Sequence, residues 1–209
     1  MVDLYTLIQQ LNQKSGIYFE DYFNIKTVSS SPKLLVYRTE GTSYALNRFD
    51  IPIEKVKVLK WFNDFWIFLE IKQIKHYNPS KQLLENHLNL SLCVFQGTDI
   101  DEEKYQLFRA EWDDYQNDDE IHSQPHWHIT SSQALERTFT SYALDFDKKD
   151  FVELLESERA KVFDVKKIHF AMNGNWHNNQ TNVNRIESEE SIIKWWLGVI
   201  NHLRTELEE

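Results

Sequence analysis

The stretch that decides the fold is LNLSLCVFQGTDIDEEKYQLFRAEWDDY, residues 88–115. Two segments with strand-like composition, 88–97 and 104–115, flank the acidic sequence TDIDEE, which is typical of a hairpin connection. Side chains alternate between the two faces of a strand. One face of the second segment therefore carries Phe108, Ala110 and Trp112, and the other carries Arg109, Glu111 and Asp113. We expect helices to cover the apolar face and the polar face to hold any chemistry.

Helical periodicity marks both ends of the chain. Residues 3–13, DLYTLIQQLNQ, place apolar side chains at helical spacing behind Asp3, a suitable N-cap. Near the C-terminus, Ser188 is a second cap, and Glu189 and Glu190 suit the first turn of a helix. The stripe expected to be buried there is Ile192, Trp196, Val199 or Ile200, Leu203 and Leu207.

The segment between Ile53 and Lys75 also shows helical spacing, in the stripe Val58, Phe62, Phe65 and Leu69. We therefore predict a helix there. The same segment contains Asp64 and FLEIK, in which Glu70 and Lys72 flank Ile71. An alternative is a strand of a metal-dependent nuclease of the PD-(D/E)xK type, but the helical stripe favours an amphipathic helix with a charged face.

Strands are predicted at residues 18–28 and 33–41, at QPHWHIT (124–130), and at 141–146 and 165–172, with a helix at 148–163. The fold class that follows is α+β. We expect a single domain, residues 1–209, with a mostly antiparallel sheet covered by long amphipathic helices, including the C-terminal one.

Composition excludes several classes of protein. The single cysteine, Cys93, rules out an internal disulfide and a thiolate metal cluster, and its apolar surroundings predict burial. The sequence lacks the features of a signal peptide and of a membrane span, so we expect a cytoplasmic protein with no membrane association. The net charge is −10, and residues 98–209 hold 12 Lys and Arg against 24 Asp and Glu. Direct nucleic-acid binding through this acidic half is disfavoured.

The cluster HSQPHWHIT, residues 122–130, holds three of the eight histidines. On a strand, His126 and His128 share one face and Trp127 takes the other. In VKKIHFAM, residues 165–172, His169 falls on the polar face by the same alternation. If these strands are neighbours, His126, His128 and His169 lie on one surface. Arg109 and Glu111 share that surface with them.

Two imidazoles two residues apart on a strand can reach one ion. The first hypothesis is therefore a metal-dependent hydrolase with a divalent cofactor such as zinc, held by His126, His128 and His169. Either His177 or Glu111 completes the shell, and Asp113 or Glu111 is the base for a bound water. A cupin motif is not matched, because no glycine follows His128 until Gly174. The isolated histidines are interpreted as solvated or capping groups: His76, His87 and His202.

A metal-free alternative is a phosphoesterase with two histidine motifs, each reading histidine, one residue, then Thr or Ser. His128-Ile129-Thr130 matches such a motif, whereas His169-Phe170-Ala171 lacks the hydroxyl. In that mechanism one histidine is the base and the other the acid.

Two non-catalytic interpretations remain. The histidines can be ordinary hydrogen-bonding groups of a polar sheet. Alternatively, the region is a recognition surface that binds a protein partner or a second copy of the chain. Its residues would be Arg109, Trp112, Trp127 and Trp176, a composition typical of binding hot spots. Of the adjacent Trp195 and Trp196, we expect one in the core.

Four segments together resemble a pattern in uncharacterised bacterial proteins of the kind found in anti-phage defence loci. They are LFRAEWDDY, QPHWHI, IHFAMNGNWH and WWLGVINHLRTEL, from the last half of the chain. The resemblance carries no established activity and assigns no catalytic residue. It implies that this protein works as one component of a multi-protein system. The favoured expectation is thus a non-catalytic subunit, with the hydrolase as the alternative.

Overall fold

The computed structural model describes residues 2–50, 52–80, 82–114, 124–129 and 186–208. The chain begins with helix α1 (Leu4–Ser15) and a short 3-10 turn (Gly16–Tyr18). Eight strands follow: β1 (Ile25–Ser30), β2 (Leu34–Thr39), β3 (Ser43–Asn47), β4 (Glu54–Phe62), β5 (Phe65–Tyr77), β6 (Leu83–Gln96), β7 (Tyr105–Asp113) and β8 (His126–Ile129). Helix α2 (Glu189–Glu208) is the last described element.

The strands form an antiparallel sheet with the order β1-β2-β5-β6-β7-β8. Its centre is the long β5–β6 hairpin, paired from Phe65 opposite Gln96 to Tyr77 opposite Leu83. On the other edge of β5, β4 pairs with residues 65–67 and β2 with residues 70–74. The β3–β4 hairpin is thus attached to one end of the sheet, and Ala45 of β3 also bridges to Lys104 before β7.

Two hydrophobic cores lie on opposite faces of this sheet. The larger core joins one face of β4–β7 to helices α1 and α2. The smaller core lies on the other face, under the β3–β4 hairpin, and consists of Ala45, Val56, Val58, Trp66, Phe68, Cys93 and Phe95. Neighbouring residues of β5 and β6 alternate between the two cores, so the central hairpin is buried on both sides.

The two helices contact each other at Trp196, which is buried in the larger core. Its indole Nε1 donates a hydrogen bond to the Ser15 hydroxyl at 2.8 Å. Both predicted caps are confirmed, because Asp3 accepts from the Tyr5 amide at 3.0 Å and Ser188 from the Ser191 amide at 3.2 Å. The predicted stripe of the C-terminal helix is also confirmed, with Ile200 rather than Val199 buried.

The helix predicted from Ile53 to Lys75 is wrong. This segment forms β4 and β5, which turn at Asn63, whose φ is 48°. The apolar stripe matched a helix because both strands bury side chains on both faces, which leaves few polar residues to show the strand period.

The nuclease alternative of the PD-(D/E)xK type is not supported, although residues 65–77 do form a strand. Glu70 and Lys72 do share a face of β5, but Asp64 lies six residues before Glu70, roughly 20 Å along the strand. The Glu70 carboxylate accepts from Arg38 at 2.6 Å and from Lys72 at 2.5 Å. These two cations neutralise it and occupy its oxygens.

The predicted α+β class is supported at the level of a mostly antiparallel sheet with an N-terminal and a C-terminal helix. Among the described residues only these two α-helices are present. The prediction of a sheet covered by long amphipathic helices was therefore overstated. The first predicted strand, 18–28, begins later, at Ile25. The elements predicted at 141–146, 148–163 and 165–172 lie outside the described residues. Neither α1 nor α2 has the length and apolarity needed to cross a membrane.

We expect Trp196→Ala to destabilise the protein by about 3–5 kcal/mol, because it leaves a cavity between the two helices and the sheet. Trp196→Phe should cost less, about 1–3 kcal/mol, since it mainly leaves the buried Ser15 hydroxyl without its donor. Urea unfolding followed by circular dichroism measures both values. The exposed Lys194→Ala on the same helix is the control and should change stability by less than about 0.5 kcal/mol. Equal effects of all three variants would contradict the assigned helix contact.

Candidate metal centre

Strands β7 and β8 bring four predicted polar residues onto one face. Their antiparallel register places His126 opposite Glu111 and His128 opposite Arg109. The sequence left the order of the strands open, and the structure shows that these two are neighbours. Directly opposite residues of a pair point to the same face, so both imidazoles lie beside the Glu111 carboxylate.

Three ligand atoms converge at this point. Nε2 of His128 lies 2.8 Å from Oε2 of Glu111 and 2.9 Å from Nε2 of His126. Nε2 of His126 lies 3.4 Å from the same carboxylate oxygen. We call Glu111, His126 and His128 the β7–β8 cluster.

Protons alone cannot make all three contacts of the β7–β8 cluster favourable. An imidazole nitrogen carries at most one hydrogen, and the carboxylate is an acceptor only. If both imidazoles donate to Glu111, two N–H groups face each other across 2.9 Å. If one nitrogen is deprotonated, its lone pair faces the carboxylate oxygen. A shared cation would instead bond to each of the three ligand atoms, and it would remove the conflict between them.

The dimensions suit a small metal ion. Zinc binds imidazole nitrogen and carboxylate oxygen at roughly 2.0–2.2 Å, so neighbouring ligands of a tetrahedral site are about 3.3–3.5 Å apart. The observed separations of 2.8, 2.9 and 3.4 Å need to open by only a few tenths of an ångström. The side chains of His126 and His128 are 27% and 38% exposed, so a fourth ligand can approach from solvent.

Arg109 fixes the carboxylate of the cluster. Its Nη2 donates to Glu111 at 3.0 Å, and its Nη1 donates to Asp50 at 2.8 Å. The guanidinium also lies over the ring of Phe49, 5.5 Å from its centroid, and that ring lies 5.6 Å from the His128 ring. A hydrogen bond of this kind to a ligating carboxylate holds it in place.

The environment keeps Glu111 ionised. Burial raises the pKa of this carboxyl, but the hydrogen bond to His126, the Arg109 charge and the contacts with His128 outweigh burial, so the pKa is lowered overall. A metal ion requires its carboxylate ligand in this ionised form. The Glu111 carboxyl is therefore ionised near neutral pH.

Asp113 lies on the same face of β7, two residues and roughly 7 Å beyond Glu111. Its Oδ2 accepts a hydrogen bond from Asn89 at 3.3 Å, and its amide donates to the Gln124 side chain at 2.9 Å. It therefore stays beside the cluster without being one of its three members.

Two of the predicted tryptophans, Trp112 and Trp127, do not join this surface. Trp112 is 6% exposed and belongs to the larger core, where it contacts Trp195. Trp127 packs on the same core beside Phe108, on the face opposite the histidines. Trp196 is the core member of the adjacent pair, as expected. His169, Trp176 and His177 lie outside the described residues, so their predicted roles stay predictions.

Sequence reasoning missed two features of the site. Asp50 and Phe49 come from the connection between β3 and β4, about sixty residues before Arg109. No local pattern links them to β7, and only the curl of the β3–β4 hairpin brings them there. Cys93 is buried as predicted, and burial raises its pKa to about 12, so it takes no part as a thiolate.

The interpretation of His76 and His87 as isolated groups is wrong. The two rings lie 5.4 Å apart in an edge-to-face arrangement at the far end of the β5–β6 hairpin. The error follows from the missed strand β5, because only its pairing with β6 brings His76 next to His87.

Comparison with known proteins gives no family assignment. No protein-family model matches the chain. Neither the curated proteins nor the solved structures give a significant match. The function therefore has to be argued from the site itself.

We expect the contribution of Glu111 to stability to fade in acid. Because its folded pKa is lowered, the ionised form stabilises the metal-free protein above the unfolded value of about 4.3, and this contribution is lost as pH falls through the folded pKa. The difference in unfolding free energy between wild type and Glu111→Gln should therefore be smaller at about pH 3.5 than at pH 7. Urea unfolding without metal measures it.

The exposed Glu103→Gln is the control for this experiment and should give a small difference at both pH values. A Glu111→Gln difference that does not change with pH would contradict an ionised Glu111 held by its neighbours.

Proposed function

We propose that the β7–β8 cluster binds one divalent transition-metal ion, with zinc the first candidate, and that the protein is a metal-dependent hydrolase. The observation that carries the proposal is the convergence of three ligand atoms within 3.4 Å of one another, for which no placement of protons makes all three contacts favourable.

The ligand chemistry favours zinc over the hard cations. Two imidazoles and one carboxylate form a common ligand set of catalytic zinc, which keeps the fourth position for water. Calcium and magnesium prefer shells of oxygen ligands. His169 and His177 remain additional ligand candidates, and the metal-free phosphoesterase alternative would instead use His128 and His169 as base and acid.

The ion would lower the pKa of its bound water towards neutrality and supply hydroxide as the nucleophile. Glu111 acts as a ligand in this scheme, which leaves Asp113 as the candidate base that receives the water proton. Arg109 positions Glu111, since both of its terminal nitrogens are already engaged. A divalent ion together with Glu111, Arg109, Asp50 and an ionised Asp113 carries a net charge of zero, so charge leaves the substrate class open. A phosphate ester, whose phosphoryl oxygen a metal ion can polarise, is the first candidate.

The hydrolysis balances without another reactant. With an ion held by Glu111, His126 and His128, a hydroxide derived from water would attack the phosphorus of the ester as the bond to the alcohol oxygen breaks. The proton that Asp113 takes from the water would pass to the leaving alcohol. The products are the alcohol and a phosphate with one ester group fewer.

Metal binding is tested by mass spectrometry of untagged protein, stripped with a chelator and reloaded with Zn²⁺. We expect wild type to retain zinc that the double variant His126→Ala/His128→Ala has lost. His202→Ala, on helix α2, is the matched control and should load like wild type. Equal zinc contents in wild type and the double variant would overturn the proposed site.

Catalysis is tested with aryl phosphate mono- and diesters. Zinc-loaded wild type should hydrolyse at least one class, and Asp113→Asn should keep its zinc while kcat falls by about 10²–10⁴-fold. The exposed Asp99→Asn is the control and should keep full activity. Specific zinc binding without hydrolysis of any ester would overturn the enzyme proposal. It would favour the alternative, a non-catalytic subunit of a multi-protein system that binds a protein partner.

A further inference from the structure

A second group of metal-ligating side chains lies at the far end of the β5–β6 hairpin. His76 of β5 pairs with Glu85 of β6, and His87 follows two residues later on the same face. Nε2 of His87 lies 3.3 Å from Oε2 of Glu85. The ligand atoms of His76, Glu85 and His87 all lie within 4.8 Å of one another. We call these three residues the β5–β6 cluster.

The β5–β6 cluster combines one fixed ligand with two adaptable ones. The His87 side chain is 8% exposed and is held within the sheet, whereas Glu85 and His76 are exposed. Exposed side chains change rotamers readily. The separations, all within 4.8 Å, can therefore reach the roughly 3.3–3.5 Å of a tetrahedral site by side-chain movement alone.

This end of the hairpin has few other supports. The pairing of β2 with β5 ends at Ile74, and the pairing of β6 with β7 ends at Asn89. Beyond those residues only single hydrogen bonds to other segments are described, such as the Lys75 amide to the Lys33 carbonyl at 2.8 Å and the Asp114 amide to the Leu88 carbonyl at 3.1 Å. Among the described residues, ladder pairing continues there only between β5 and β6. Two-stranded ribbons are marginally stable in water. An ion held by both strands would cross-link the ribbon where it has fewer hydrogen bonds to the rest of the sheet.

The β5–β6 cluster is separate from the β7–β8 cluster. His87 is four residues from Ser91, the residue of β6 that pairs with Glu111, which is roughly 13 Å along the strand. Ions of a two-metal catalytic centre lie about 3.5–4 Å apart. A metal ion at the hairpin end therefore cannot share a substrate atom with one at Glu111.

We propose that His76, Glu85 and His87 bind a second divalent transition-metal ion, such as zinc, that cross-links the β5–β6 hairpin end. The site does not depend on the proposed hydrolase, because the two clusters share no residue. Its role is structural, and its loss should leave the ligands of the β7–β8 cluster unchanged.

The test is zinc binding to the full chain, stripped of metal and followed by titration calorimetry and by metal analysis after gel filtration. Wild type should bind two zinc ions. His76→Ala and Glu85→Gln, both at exposed positions, should each lose one ion or bind it at least 10-fold more weakly, as expected when a ligand is removed. His202→Ala should still bind two.

Hydrogen exchange locates the second ion. Zinc should slow amide exchange in residues 75–77 and 83–87 of wild type and of His126→Ala/His128→Ala, but not of His76→Ala. One ion that is lost only in His126→Ala/His128→Ala, with no protection of the hairpin end, would overturn this proposal and leave the β7–β8 site standing. One ion that is lost only in His76→Ala would support it and overturn the β7–β8 site instead. No zinc binding at all would overturn both.

Discussion

Burial of the central β5–β6 hairpin on both faces is the constraint on which the rest of the structure depends. Leu90 and Leu92 face the helices, while Cys93 and Phe95 face the β3–β4 hairpin. Water has to be excluded from both sides of such a pair of strands, since apolar burial is the main stabilising contribution to a fold. The helices cover one face of the β5–β6 hairpin. The curled β3–β4 hairpin covers the other face, but over only part of the length of β5 and β6.

Where the cover of the β3–β4 hairpin ends, the same face of the sheet becomes polar. Arg38, Glu70, Ser91, Glu111 and His126 are paired in one row across five strands. The two carboxylates of this row, Glu70 and Glu111, have different partners. Glu70 is neutralised by an arginine and a lysine, whereas Glu111 has one arginine and two imidazoles. Imidazoles retain lone pairs for a metal ion, and ammonium and guanidinium groups have none. This difference makes Glu111 the candidate ligand.

The position of Glu111 also links the fold to its chemistry. The carboxylate is anchored by Arg109, which the β3–β4 connection holds through Asp50. The hairpin that closes the smaller core thus also orients the Glu111 carboxylate, a candidate ligand. The imidazoles come from β8, whose side chains are more exposed. A rigid carboxylate with two accessible imidazoles is an arrangement that leaves room for water or substrate.

Much of the fold was predictable from local sequence patterns. Asp3 and Ser188 gave the helix starts, and the alternation in residues 104–115 and 126–129 separated the polar face from the apolar one. These features depend on neighbours in sequence, and periodicity reports them directly. The strands of residues 53–75 were missed because two-sided burial removed the alternation that distinguishes strand from helix.

The sequence by itself determined that Glu111, His126 and His128 would lie on polar strand faces, because side-chain alternation is a local property of the backbone. Tertiary structure decided that β7 and β8 are neighbours, so that the three ligand atoms meet. It also brought Asp50 to Arg109 and paired His76 with Glu85, two contacts that no spacing in the sequence encodes. The physical reason is that strand order and hairpin register are set by burying apolar faces together, which is a property of the whole sheet.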